Sequence, residues 1–236
     1  MRPLIFLFLL CTVLTPDLTP EAHVRRFSIT SKDSANESMP IFVMPEDTKV
    51  VPETSAEDLS APPRFIMGKG EIRAELLVSF LLNENNDADR EFTELLAGFY
   101  IAEAEIEGVN HDIAFAQMCL ETGFLRFGGF VVPEMNNFCG LGAIGPEEPG
   151  IWFPSVEIGV RAHIQHLKAY ACVQPMQREL VTPRYRFVRR GSAPVIQGLA
   201  GSWAADTLYA EKIELILQRL YSFRDEYLST DGKNRN

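Results

Sequence analysis

Glu121 closes a mostly apolar run that begins at Ile113, and the chain continues Thr122-Gly123-Phe124-Leu125-Arg126-Phe127-Gly128-Gly129. A carboxyl set among aromatic side chains is desolvated, and desolvation raises its pKa toward the range where it donates a proton at neutral pH. Taken alone, Glu121 reads as an acid near a helix end, and most such residues are simply solvated. Further on, Asn136-Asn137-Phe138-Cys139-Gly140-Leu141-Gly142 combines amide side chains with glycines. That pairing suits tight backbone turns and hydrogen bonds to sugar hydroxyl or acetamido groups. Sugar oxygens leave poorly until protonated, and a positioned acid speeds the step by roughly 10²–10⁴-fold. The chemistry is that of glycosidic cleavage.

Other constellations carry less. His163 and His166 lie three apart, on one helix face, but the string is His-Ile-Gln-His and a third ligand is missing. The pair reads as packed or surface histidine, and the residues call for no metal or cofactor. Cys119 reads as core, and no motif sets a histidine beside Cys139 to activate a thiol. From Arg161 to Arg190 the chain holds seven basic residues, including Arg184, Arg186, Arg189 and Arg190, against the single acid Glu179. Such a stretch is usually a solvated face; beside a glycan cleft its arginines also match carboxylates with a bidentate fork. Tyr185 and Phe187, interleaved with them, suit sugar stacking.

The elements that must position these residues are helical. Ala74, Leu77, Phe80 and Leu81 mark one helix, ended by the polar stretch Asn83 to Asp89. Phe92, Leu95, Leu96, Phe99, Ala102 and Ile106 mark a second, with Gly108 as its left-handed cap. Asn110 caps a third, which carries Gln117 and Glu121 and stops at Gly123. Phe127 to Gly150 holds six glycines and three prolines and predicts an irregular lobe with room for a hairpin. Ser155 caps a helix marked by Val156, Val160, Ile164, Leu167 and Ala171, and Tyr209, Ile213, Ile216, Leu217, Leu220 and Phe223 mark the last. The fold class is mainly α with a small irregular or β lobe.

Three strings together carry a family resemblance: Ala114-Phe115-Ala116-Gln117-Met118-Cys119-Leu120-Glu121-Thr122-Gly123, then Asn136-Asn137-Phe138-Cys139-Gly140-Leu141, then Tyr209-Ala210-Glu211-Lys212-Ile213. In that order, over residues 90–223, the chain resembles the peptidoglycan-cleaving N-acetylglucosaminidases of glycoside hydrolase family 73, which are related in fold to lysozyme. The resemblance implies a lysozyme-like helical domain with Glu121 as general acid and Tyr209 as a catalytic residue near the reacting sugar. It sets Gln117, Phe127, Asn136, Asn137, Phe138 and Gly140 in substrate binding. Two features depart from the commoner pattern. Cys139 stands where Phe is frequent, and Gly142-Ala143-Ile144-Gly145 replaces a Lys-containing turn, which leaves subsite preference open. In a two-carboxylate glycosidase the partner sits ~5–9.5 Å from the acid; Glu134, Glu147, Glu148 and Glu157 are candidates by location, and no motif marks one. The alternative route is attack by the substrate's own 2-acetamido oxygen. The implied reaction is hydrolysis of the β-1,4 bond of peptidoglycan at N-acetylglucosamine. A lytic transglycosylase is the same-class alternative, although Gly140-Leu141-Gly142-Ala143 replaces the Gly-Leu-Met-Gln of many such enzymes. A non-catalytic glycan-binding envelope module is the other-class alternative.

Length and composition frame this reading. The chain has 236 residues, is 46% hydrophobic and carries a formal charge of −10. It is long enough for one sizeable core, and its acidity argues against a general nucleic-acid binder. Met1-Arg2-Pro3 before the apolar run Leu4 to Leu14 predicts an export signal over residues 1–22, with a buried helix or lipidation at Cys11 as minor alternatives. Residues 23–63 are expected to form a flexible, disordered acidic linker, since Ser31 to Pro63 holds five Pro, five Ser and seven acids. Residues 64–236 are expected to form the catalytic domain. The expected location is the periplasm or cell envelope, with membrane contact only through the N-terminus.

Overall fold

The computed structural model describes residues 61–234, with side chains described as far as Thr230. The expected export signal, Cys11 and the linker as far as residue 60 lie outside the described residues. Among the described residues, five helices form: α1 (Ala74–Glu84), α2 (Arg90–Glu107), α3 (His111–Thr122), α4 (Val156–Ala171) and α5 (Tyr209–Asn234). Their ends follow local chemistry. The Asp89 side chain accepts from Phe92 N, Asn110 accepts from the amides of Asp112 and Ile113, and Ser155 accepts from Ile158 N. Gly108 and Gly123 take left-handed conformations, at φ 73° and 59°, and close α2 and α3. None of these helices is long and apolar enough to cross a membrane.

Helix α3 is the centre. Seven consecutive residues, Ile113 to Cys119, are fully buried at 0% exposure. A helix apolar all round needs neighbours on every side. α2, α4 and α5 supply them, chiefly through Leu96, Tyr100, Val160, Ile164, Ile213 and Leu217, all in one core. α1 completes it by packing on α2 and α5.

The segment from residue 123 to 155 is irregular. It contains a single 3-10 turn, Pro133–Met135, and its one β-bridge is the isolated Gly145–Glu148 pair, with scattered backbone bonds such as Ile151 N to the Leu141 carbonyl, so the lobe has no hairpin of length. The Asn137 side chain holds it: Nδ2 donates to the carbonyls of Leu141 (2.8 Å) and Ile151 (3.1 Å), while Oδ1 accepts from Leu141 N. Helix α4 lies so close to this loop that a Cβ on Gly159 would sit 1.8 Å from the Asn136 carbonyl oxygen. Only glycine fits there.

Two buried carboxylates tie loops to helices. Asp112, fully buried, accepts from the backbone amides of Glu71 and Ile72 and from the Tyr221 hydroxyl. Glu107 accepts from Lys168 Nζ at 2.7 Å, from the amides of Gln177 and Arg178, and from Gln165. Burial alone would raise the Glu107 pKa, but these four donors together carry it below its ordinary 4.5. Above that pH the ion pair contributes its full stability, which is lost as acid protonates Glu107. Replacing Glu107 with Ala leaves Lys168 buried and unpaired, and urea unfolding at pH 7 is expected to show a loss of about 3–5 kcal/mol. The deficit should shrink as the pH is lowered below 4 or so, where wild type also loses the pair.

Candidate active site

The last turn of α3 delivers Glu121 to the surface of the core. Gln117 stands four residues earlier and so shares its helix face. Two donors from outside α3 meet the Glu121 carboxyl on one oxygen. The Tyr209 hydroxyl, at the first position of α5, donates to Oε1, and Trp203 Nε1 donates to the same oxygen at 3.2 Å. Oε2 accepts from no side chain among the described residues and faces Gly140, where a Cβ would lie 3.5 Å away. Gly140 has φ +69°, a left-handed conformation that favours glycine, and any side chain there would come into contact with that oxygen.

Burial dominates the electrostatics. It pushes the Glu121 carboxyl up to about 7, against the lowering effect of the Tyr209 and Trp203 hydrogen bonds. Burial also raises the Tyr209 hydroxyl and the Cys139 thiol well above their ordinary values, and the nearby Glu121 charge adds to both. A thiol held protonated in this way is no nucleophile. Glu121 is therefore poised to give up a proton at neutral pH while its neighbours stay neutral.

The structure brings Glu121, Tyr209 and Gln117 together: Gln117 Nε2 donates to the Tyr209 hydroxyl at 2.8 Å. Gln117 is fully buried, so it reaches the site through Tyr209 and not through a bound sugar. The other expected binding residues are placed differently. Both ends of the Asn137 amide are spent on lobe backbone, and Asn136 Nδ2 donates to the Phe153 carbonyl. Asn136 also takes a left-handed φ of 51°. Phe138 is fully buried and packs against Phe92, with ring centroids 6.3 Å apart. These three shape the lobe from inside, because a short loop without a sheet must satisfy its own backbone. Phe127 is half-buried against the core edge after Gly123, and Gly140 alone of the lobe set touches the acid's surroundings.

Trp203 is the site residue that sequence reading passed over. It lies in an irregular turn after Leu199, with no helical period to mark it; the signal available was a tryptophan six residues before Tyr209. Its ring packs on His163, His166 and Tyr170. The two histidines are no metal pair. Both ring nitrogens of His163 are engaged, with Tyr100 and Gln117, and His166 Nδ1 lies 3.2 Å from Thr182 Oγ1. Burial holds them neutral, at about 3 and about 4.

Of the basic stretch, three members belong to structure. Arg161 and Arg178 pair with Glu103 and Glu157, and Lys168 with Glu107. Glu157, a candidate second carboxylate, is thus engaged by Arg161 and Arg178, and Glu134, Glu147 and Glu148 are exposed on the lobe. Arg184, Arg186 and Arg189 have no carboxylate partner among the described residues. Arg184 and Arg186 lie over the exposed Phe187 ring. A shallow pocket of about 340 Å³ runs beside them, lined by Leu180, Val181, Thr182, Pro183, Tyr185 and Arg186. Thr182 links it, through His166, to Trp203.

Residues 97–222 match the family model described as mannosyl-glycoprotein endo-beta-N-acetylglucosaminidase. An uncharacterized protein of Borreliella burgdorferi is 44% identical over 161 residues, which cover 68% of this chain and 79% of that protein. No solved structure matches.

A carboxyl whose folded pKa is raised costs stability once it ionises in the unfolded chain. That cost is absent at pH 4 and complete above about pH 7. The Glu121→Gln protein, neutral at every pH, is expected to melt higher than wild type at pH 8, with the advantage vanishing toward pH 4; thermal melts across that range check the sign.

Proposed function

The chain belongs to the glucosaminidase family, glycoside hydrolase family 73, and we propose that it hydrolyses the β-1,4 bond of bacterial peptidoglycan at N-acetylglucosamine, with Glu121 as general acid. The chain is a glycoside hydrolase; the bond, the polymer and the residue roles are our reading. The observation that carries it is the divided Glu121 carboxyl. One oxygen is held by Tyr209 and Trp203, while the other is open beside Gly140, on a group that titrates near neutrality.

In this mechanism the Oε2 proton passes to the glycosidic oxygen as its bond to C1 breaks, and the 2-acetamido carbonyl oxygen of the same sugar forms a new bond to C1. Water then attacks C1, displaces the acetamido oxygen and returns a proton to Glu121. Substrate assistance accounts for a site with one desolvated carboxyl and no marked partner. Tyr209 acts on the acid, holding Oε1, and lowers the cost of the carboxylate that forms when the proton leaves.

The unpaired arginines support an acidic glycan. Peptidoglycan carries carboxylates on its muramic acid and stem peptides, and Arg184 and Arg186 beside the pocket at Leu180–Arg186 suit them. An envelope location follows from that substrate, and the apolar run Leu4 to Leu14 supports export.

Digestion of purified sacculi by wild type and by folded Glu121→Gln, with products identified by mass, tests the reading. Wild type is expected to release reducing N-acetylglucosamine ends, and the variant to be slower by roughly 10²–10⁴-fold. Near-normal release by the variant overturns the assignment, anhydro-muramic products indicate a transglycosylase, and glycan binding with no product by wild type indicates a module without chemistry. Salt is expected to weaken binding to sacculi and to leave neutral chitin oligomers unaffected.

A further inference from the structure

Behind Tyr209 runs a chain of hydrogen bonds that crosses the core. From Glu121 Oε1 it passes to the Tyr209 hydroxyl, to Gln117 Nε2 (2.8 Å), from Gln117 Oε1 to His163 Nε2 (3.0 Å), and from His163 Nδ1 to the Tyr100 hydroxyl (2.8 Å). Four elements contribute: α2, α3, α4 and α5. Tyr100, Gln117 and His163 are at 0% exposure and Tyr209 at 5%, so no water relieves an error of direction.

The direction of every link follows from donor and acceptor types. An amide oxygen only accepts, so His163 must carry its proton on Nε2 to meet Gln117 Oε1. Nδ1 is then bare and accepts from the Tyr100 hydroxyl. The Gln117 amide is thereby fixed with its NH₂ toward Tyr209, whose oxygen accepts and whose hydrogen is left for Glu121. Turning the Gln117 amide over would reverse the whole chain. The Tyr209 hydroxyl would then point at Gln117, the carboxylate would keep Trp203 alone, and the Tyr100 hydroxyl hydrogen would be buried with no acceptor among the described residues. An unsatisfied buried donor is costly, so Tyr100 biases the chain toward Glu121.

We propose that Tyr100, His163 and Gln117 are positioning residues that aim the Tyr209 hydroxyl at Glu121 Oε1 and so leave Oε2 as the oxygen that carries the proton to the substrate. The inference rests on the reading of Glu121 as general acid. None of the three meets the sugar; they act through Tyr209.

Around this chain the other titratable groups stay neutral near pH 7. Beside Glu121 stand the Tyr209 hydroxyl and the Cys139 thiol, and at the far end of the chain the Tyr100 hydroxyl, all raised by burial; beside His163 stands His166, whose ring burial also holds neutral. A titration near neutrality in this cluster therefore belongs to Glu121.

The test is done on the full chain by NMR, with ¹³C-labelled glutamate to follow the Glu121 carboxyl and ¹⁵N-labelled histidine to read the His163 tautomer. Wild type is expected to hold His163 as the Nε2–H tautomer from pH 5 to 9. His163→Phe frees the Gln117 amide to turn, and the Glu121 midpoint should rise by about half a unit. Gln117→Glu is isosteric and accepts from Tyr209, so the midpoint should rise by about one unit or more. His163→Gln keeps a donor at the Nε2 position and should restore the wild-type value. On sacculi, the alkaline limb of kcat/KM should move with the NMR midpoint while KM is unchanged. An Nδ1–H tautomer in wild type overturns the proposal even if every variant fails to fold, and so do midpoints unchanged in folded His163→Phe and Gln117→Glu. If the midpoints shift as expected but no glycan is cut, the relay stands and the functional reading fails.

Discussion

A helix buried on every side has no tolerance for an unpaired polar group, and α3 carries Gln117 and Glu121 on one of its faces. The rest of the structure follows from satisfying them. Gln117 demands an acceptor and a donor in the dry core, which α5 supplies with Tyr209 and α4 with His163. Glu121, four residues later, emerges where the core ends, and its carboxyl is half claimed by Tyr209 and Trp203. The same burial that gives α3 its packing thus generates the one carboxyl in the cluster that titrates near neutrality.

Carboxylates in this domain fall into two regimes, set by how many donors surround them. Glu107 and Asp112 are at most 1% exposed, yet each is ringed by backbone amides and a Lys or Tyr donor, and each staples a loop to a helix. Glu121 has donors on one oxygen only. Its incomplete satisfaction is destabilising and also reactive, a trade expected where function needs a strained or destabilised group. The cations divide likewise: Arg161, Lys168 and Arg178 are consumed by α2 and α4 carboxylates, and Arg184 and Arg186 have no carboxylate partner among the described residues.

The helices were legible from periodicity because each buries one stripe or all of its surface, and their ends from Asp89, Asn110, Ser155, Gly108 and Gly123, whose chemistry is local. The motif strings also led to Glu121 and Tyr209. The lobe was not legible to the same degree. Asn136, Asn137 and Phe138 have the side chains of a sugar site, but with no sheet to pair its backbone the loop takes those amides for itself. Trp203 escaped notice because an irregular turn has no period, and His163, read as a packed or surface histidine, carries no mark along the chain of the partners it meets on α2 and α3.

What the sequence by itself determined was the class of fold and the family, and it singled out Glu121 as the candidate acid, since these rest on residue type and spacing within single elements. What only the tertiary structure decided was which groups meet Glu121 and which stand behind them. Tyr100, Gln117, His163, Trp203 and Tyr209 are spread over 110 positions of the chain, and hydrogen bonds across such separations are set by how helices pack. Packing also decided that one Glu121 oxygen is held while the other is free, because that depends on the absent side chain of Gly140 and on the direction of a buried hydrogen-bond chain, neither of which leaves a pattern along the sequence.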